Sequence, residues 1–75
     1  MTESEALGRV IRRERQKRKL SQERLAEMCG LHRNFVGLIE RGQRSATIET
    51  LFRLATAFGV KPTRLIQWVE NELGT

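Results

Sequence analysis

Two short apolar stripes of helical period, set either side of a single glycine, constrain this chain more than any other feature of it. They lie in residues 22–41, QERLAEMCGLHRNFVGLIER. Leu25, Met28 and Cys29 fall on one side of a first short helix, and Val36, Ile39 and part of Leu38 on one side of a second. The two stripes must face each other. Ala26 sits where steeply crossing helices come closest, and a larger side chain there would push them apart. Gly30 supplies the positive φ that a tight turn between such helices commonly needs. The same pattern occurs in ordinary helical bundles, so its meaning depends on what surrounds it.

What surrounds it is small and basic. Seventy-five residues allow one domain with one modest core, too thin to line a deep pocket as well. Paired carboxylates on one face, a nucleophile with its base and a phosphate loop are all missing, so an enzyme is disfavoured. Cys29 lies on the apolar stripe and reads as a packed small residue. One cysteine and one histidine offer neither a disulfide nor a four-ligand metal set, and no cofactor or small-molecule ligand is expected. No segment approaches the roughly 18 apolar residues of a membrane span and no signal peptide opens the chain, which predicts a cytoplasmic protein. The net charge is +5, and residues 1–20 carry seven Lys/Arg against three acids, residues 21–44 four against three, and residues 45–75 three against three. A basic face beside a neutral tail suits a phosphate-rich partner, while a solvated or membrane-surface helix remains open for the run RRERQKRK of residues 12–19.

In chain order, Thr2 and Glu5 form a capping pair, with Ser4 a second candidate, ahead of a first helix whose apolar side is Leu7, Val10 and Ile11 and whose other faces carry Arg9, Arg12, Arg13, Lys17 and Arg18. Ser21 caps the next helix, with Gln22 in its first turn. There the Gln22 side chain and the open backbone amides can meet a phosphate, or the glutamine is simply a good helix former on a wet face. His32 is a weak cap for the helix of residues 33–41. In its first exposed turn, Arg33 can grip guanine O6 and N7 and Asn34 adenine N6 and N7. Phe35 is exposed by the periodicity, as a thymine or sugar contact or as a rim residue of the core; Leu38 completes the candidate base-contacting set. Gly37 costs about 1 kcal/mol of helix propensity, which either close approach to DNA or tight helix packing would justify. Gly42 stops the helix, and Arg41, Gln43 and Arg44 are candidate phosphate contacts around the following loop. Thr47 caps a fourth helix whose core side is Ile48, Leu51, Leu54, Ala55 and Phe58; Gly59 ends it, Val60 drops into the core, and Pro62 opens a fifth helix to about Leu73. The expected fold is all-α: one domain, residues 1–75, of five short helices.

The motifs L-S-Q-x-x-L-A, from Leu20 to Ala26, and V-x-x-I-E-x-G, from Val36 to Gly42, resemble the phage repressor and Cro family of helix-turn-helix regulators over most of the chain. The resemblance implies a lambda-repressor-like domain that places the helix of residues 33–41 in the major groove of a two-fold double-stranded DNA operator. It also implies a phosphate contact from Gln22 and an ion pair between Arg15 and Glu40. Glu14 departs from the pattern, since relatives often place an apolar residue there. The size and the run VGLIERGQR further resemble the controller proteins of restriction-modification systems, many of which have tyrosine in place of Phe35. The expected function is a transcriptional repressor or autoregulator, regulated through its concentration or a partner chain because no second domain is present. A protein-interaction module, such as an antitoxin or adaptor on the same fold, is the alternative; it would keep the core pattern and lose the polar readout residues, which this chain retains.

The fifth helix carries apolar residues on more than one face, at Leu65, Ile66, Trp68, Val69 and Leu73. The domain beneath covers only one stripe of such a helix. These residues are therefore the expected homodimer interface, with the row Leu65, Val69 and Leu73 turned toward the core and Ile66 or Trp68 outward; the competing reading puts the only tryptophan inside.

Overall fold

Local capping signals decide where the chain starts each helix in the computed structural model, which describes residues 1–74. Thr2 accepts from the Glu5 amide at 3.1 Å while the Glu5 carboxylate accepts from the Thr2 amide at 2.8 Å, a reciprocal pair that opens α1 (Glu3–Lys17). Ser21 accepts from the Arg24 amide at the head of α2 (Gln22–Cys29), and Thr47 from the Thr50 amide at the head of α4 (Ile48–Phe58). Pro62 starts α5 (Pro62–Leu73), where its missing N–H costs nothing. Gly30 turns the chain out of α2 at φ +66 and into α3 (Arg33–Glu40). Lys19, between α1 and α2, takes the left-handed conformation that usually falls to glycine.

The helices form one all-α unit in which α1 lies against α3 and α5, α2 against α3 and α4, and α4 against α5. Val10, Ile11, Leu25, Val36, Ile39, Leu54 and Leu65 are fully buried, and each such side chain is worth roughly 1.5–3 kcal/mol of transfer free energy. α1 and α3 come into close backbone contact at Gly8. A Cβ there would stand 2.4 Å from the Ile39 carbonyl oxygen and 2.7 Å from that of Glu40, so only glycine lets the two backbones meet.

The structure corrects the periodicity at several positions. Met28 is exposed, because α3 and α4 together cover only the Leu25–Ala26–Cys29 side of α2. Ile48 is 70% exposed: as the first residue of α4 its side chain leans back over the turn before the helix, where no core lies. Val60 is half-buried and packs against the core without entering it. On α5, Leu65 is fully enclosed and Val69 nearly so, which leaves both little surface to offer a partner; Leu73 and Trp68 are half-buried against the core, and Ile66 alone of the five is exposed.

Glu14 is also buried, its side chain 4% exposed. Arg18 Nη1 lies 2.8 Å from its carboxylate, Arg13 Nε 3.4 Å and Lys17 Nζ 3.6 Å. Burial pushes the carboxyl's pKa up, but the Arg18 hydrogen bond, the Lys17 charge and the Arg13 hydrogen bond together outweigh it and leave the group below its ordinary 4.5. Arg18 is no free surface cation either. It donates to the Phe58 carbonyl at 3.0 Å and its guanidinium covers the Phe58 ring at 4.7 Å, which ties the end of α1 to the end of α4.

Candidate nucleic-acid interface

α3 presents two unlike sides. Val36 and Ile39 are fully buried and Gly37 is buried among helix neighbours, whereas Arg33, Asn34 and the C-cap Arg41 are exposed and Leu38 lies between. The exposed residues do not stand alone: Gln22, Arg33, Asn34, Gly37, Leu38 and Arg41 line a single shallow concavity between the head of α2 and the outward side of α3. Six positions expected to meet DNA thus share one surface. His32 proves a working cap, its Nδ1 accepting from the Asn34 amide at 3.2 Å.

Arg33 lies 3.9 Å from a Glu23 carboxylate oxygen, but both side chains are about 70% exposed (69% and 73%), so the pair holds the guanidinium only weakly. Arg41 Nε donates to Gln43 Oε1 at 3.4 Å. Gly37 has room: a Cβ there would meet only Arg41 Nη1 at 3.2 Å and the Gln22 amide at 3.6 Å or beyond, flexible atoms that can yield. Packing therefore does not explain this glycine, in contrast to Gly8.

Two residues differ from expectation. Phe35 is half-buried against the core and not freely exposed, because it sits on the flank of α3 beside the buried stripe; the Arg44 guanidinium lies over its ring at 5.6 Å. Gln22 is not a loose surface amide. Its Nε2 donates to Glu40 Oε1 at 3.0 Å, which leaves its oxygen and its second amide hydrogen for any outside partner.

The Arg15–Glu40 pair is present and sits beneath this surface. Arg15 also donates to the Leu20 carbonyl at 2.8 Å, so the same guanidinium fastens the α1–α2 turn just ahead of Gln22. Gly8, Glu14 and Arg18 escaped the sequence reading as supports of this arrangement. Gly8 carried a signal, being a mid-helix glycine like Gly37; Glu14 and Arg18 carried none beyond their departure from an apolar stripe and their charge. Cys29 is enclosed, its thiol raised in pKa by burial against a smaller lowering by Arg53, as suits a packing residue. No helix among the described residues is long and apolar enough to cross a membrane.

An all-α unit that seats a short helix with one polar, open side on a second helix across a glycine turn is a helix-turn-helix DNA-binding transcriptional regulator, a class whose members are not enzymes. The sequence profile described as helix-turn-helix matches residues 11–65, and the chain belongs to that family. Within it the chain is similar to control protein C.SmaI of Serratia marcescens, 42% identical over 72 residues that cover 93% of this chain and 86% of that one. Control protein C.BamHI of Bacillus amyloliquefaciens is 37% identical over 62 residues, covering 81% and 76%. Among solved structures, the restriction-modification controller protein C.AhdI from Aeromonas hydrophila superposes with a TM-score of 0.79 at 40% identity over 83% of this chain and 94% of that one.

Proposed function

We propose that this regulator is a controller of a restriction-modification system, a cytoplasmic repressor or autoregulator that binds a two-fold double-stranded DNA operator as a homodimer. The observation that carries the reading is the open concavity on α2 and α3, where Arg33 and Asn34 stand beside Gly37, Leu38 and Arg41 with Gln22 at its edge. Arg33 and Asn34 have the donor and acceptor geometry for bidentate base contacts and Leu38 can meet a thymine methyl. Gln22, Arg41, Gln43 and Arg44 flank them as phosphate contacts, with the Arg44–Phe35 stack holding one such cation at the rim. The names of C.SmaI, C.BamHI and C.AhdI support the controller role.

A single α3 reads only a few base pairs, so a second copy is required for a specific site. The surface that supports dimerisation is broader than α5 alone. Ile66 stands 42% exposed beside Phe52 at 56% and Ile48 at 70%, and these three, with Leu51 and Pro62, line one apolar depression across α4 and α5. Selection of bound sequences from a random duplex pool by the purified protein tests the reading. It should return a two-fold symmetric motif with half-sites about one helical turn, roughly 34 Å, apart; recovery of no enriched motif would overturn it.

A further inference from the structure

His32 is the only histidine in the chain, and its ring performs one task that fixes a second. Its Nδ1 accepts the Asn34 amide hydrogen at 3.2 Å, and an accepting ring nitrogen holds a lone pair. The neutral imidazole must therefore carry its proton on Nε2, on the far side of the ring from the helix it caps. The side chain is exposed, and no group among the described residues accepts from Nε2. Serine, threonine or asparagine would also cap α3, but the hydroxyl or amide donor left over would lie closer to the helix end than an imidazole Nε2–H. The imidazole caps and also carries a fixed donor beyond the cap. That donor belongs to the side chain and not to the helix end, whose Asn34 amide is already satisfied. It stands one and two residues before Arg33 and Asn34, at the edge of the surface they form, in a shallow depression also lined by Glu23, Glu27 and Arg33.

Resting on the DNA-binding reading above, we propose that His32 donates its Nε2–H to a DNA phosphate oxygen and so anchors the leading end of α3 against the backbone at the groove edge. A residue ahead of the base-reading turn faces the strand that bounds the groove when the first turn of a recognition helix enters it. Hydrogen bonds to an ionised acceptor are the strong ones, so a neutral donor held in place by its own cap is an effective phosphate ligand. Such a contact positions the protein and carries no sequence information.

His32→Asn separates the two tasks, because asparagine keeps the cap and loses the reach; His32→Ser repeats the test with a different cap. Both variants should retain the helical content and melting temperature of the parent. Both should bind the selected operator and a random duplex about five- to tenfold more weakly, by similar factors, leaving the ratio between the two duplexes unchanged. Unchanged affinity on both duplexes overturns the contact, and a loss confined to the operator overturns the phosphate assignment. A second measurement does not depend on any variant. With a single imidazole in the chain, nitrogen-detected two-bond couplings at mildly alkaline pH should show the Nε2–H form in the free protein, and its resonances should move on addition of duplex. A proton on Nδ1, or no movement on binding, contradicts the proposal. A parent chain that binds no duplex overturns the DNA-binding reading and this contact with it, whereas a parent that binds while both variants match it overturns the contact alone.

Discussion

Arg15 holds both oxygens of Glu40, Nε to Oε2 at 2.6 Å and Nη2 to Oε1 at 3.1 Å, with only 12% and 3% of the two side chains exposed. The pair joins the last turn of α1 to the last residue of α3, and Glu40 passes the constraint on to Gln22. Either partner left alone is a buried charge with no counter-ion, so Arg15→Ala or Glu40→Ala should each cost roughly 3–5 kcal/mol, and the double variant less than the sum. A urea double-mutant cycle with no coupling energy would remove the pair from the account.

The residues along the concavity should separate by what they contact. Arg33→Ala and Asn34→Ala should each lose about 1–3 kcal/mol on the selected operator and much less on random duplex. Arg41→Ala and Arg44→Ala should weaken both duplexes alike and lower the salt slope by about 1 apiece; Gln22→Ala should weaken both without changing that slope. Titrations at three salt concentrations distinguish the groups, and an equal loss on both duplexes for Arg33 and Asn34 would show that they do not read bases.

The two mid-helix glycines should respond in opposite ways. A Cβ at Gly8 collides with backbone oxygens of Ile39 and Glu40, so Gly8→Ala should destabilise the fold by roughly 2 kcal/mol or more. Gly37→Ala meets only movable atoms and gains up to about 1 kcal/mol of helix propensity, so its stability should hold or rise while duplex binding falls. If Gly37→Ala binds as tightly as the parent, close approach of DNA is not the reason for that glycine.

Charge placed on the α4–α5 patch should dissociate the proposed dimer without unfolding its subunits. Ile66→Glu and Phe52→Glu alter exposed side chains, and sedimentation at micromolar concentration should show folded monomers with weakened operator binding. Trp68→Ala should instead lower the melting temperature, because that ring packs against the core. A parent chain that sediments as a monomer at the same concentration counts against the dimer.

Acid should expose the role of Glu14. Its carboxyl titrates below the ordinary 4.5, so its contribution to stability is fully present above that value and is lost as pH falls through the lower, folded value. Urea midpoints followed over roughly pH 3 to 6 should therefore drop more steeply for the parent than for Glu14→Gln. Parallel curves would mean that the three surrounding cations do not favour the ionised form.

All five helices were legible in the chain because their starts are written locally, in Thr2, Ser21, His32, Thr47 and Pro62, and the stops of α2, α3 and α4 in Gly30, Gly42 and Gly59. The outward side of α3 was legible for a similar reason: Val36 and Ile39 fix which way the helix faces, and the polar positions follow. What escaped depended on neighbours distant in sequence. Glu14 looks like a surface acid until Arg18, its neighbour one turn on, is seen fastened to Phe58 of α4 and closing over it, and Gly8 looks like a weak spot in α1 until the carbonyls of α3 arrive beside it. Ile48 misled because a periodic pattern says nothing about where the core ends, and Trp68 because half-burial on a flank is neither of the two outcomes that a stripe distinguishes.

The division of α3 into an enclosed side and an open side means that its two jobs are held by different letters. Val36, Ile39 and Glu40 bind the helix to the domain, while Arg33, Asn34, Leu38 and Arg41 face outward and support nothing beneath them. On the proposed function the outward four are thus interchangeable parts: a new set can be written into those positions, by evolution or by design, and the vocabulary of recognised sites can diverge while the scaffold that displays it stays as it is.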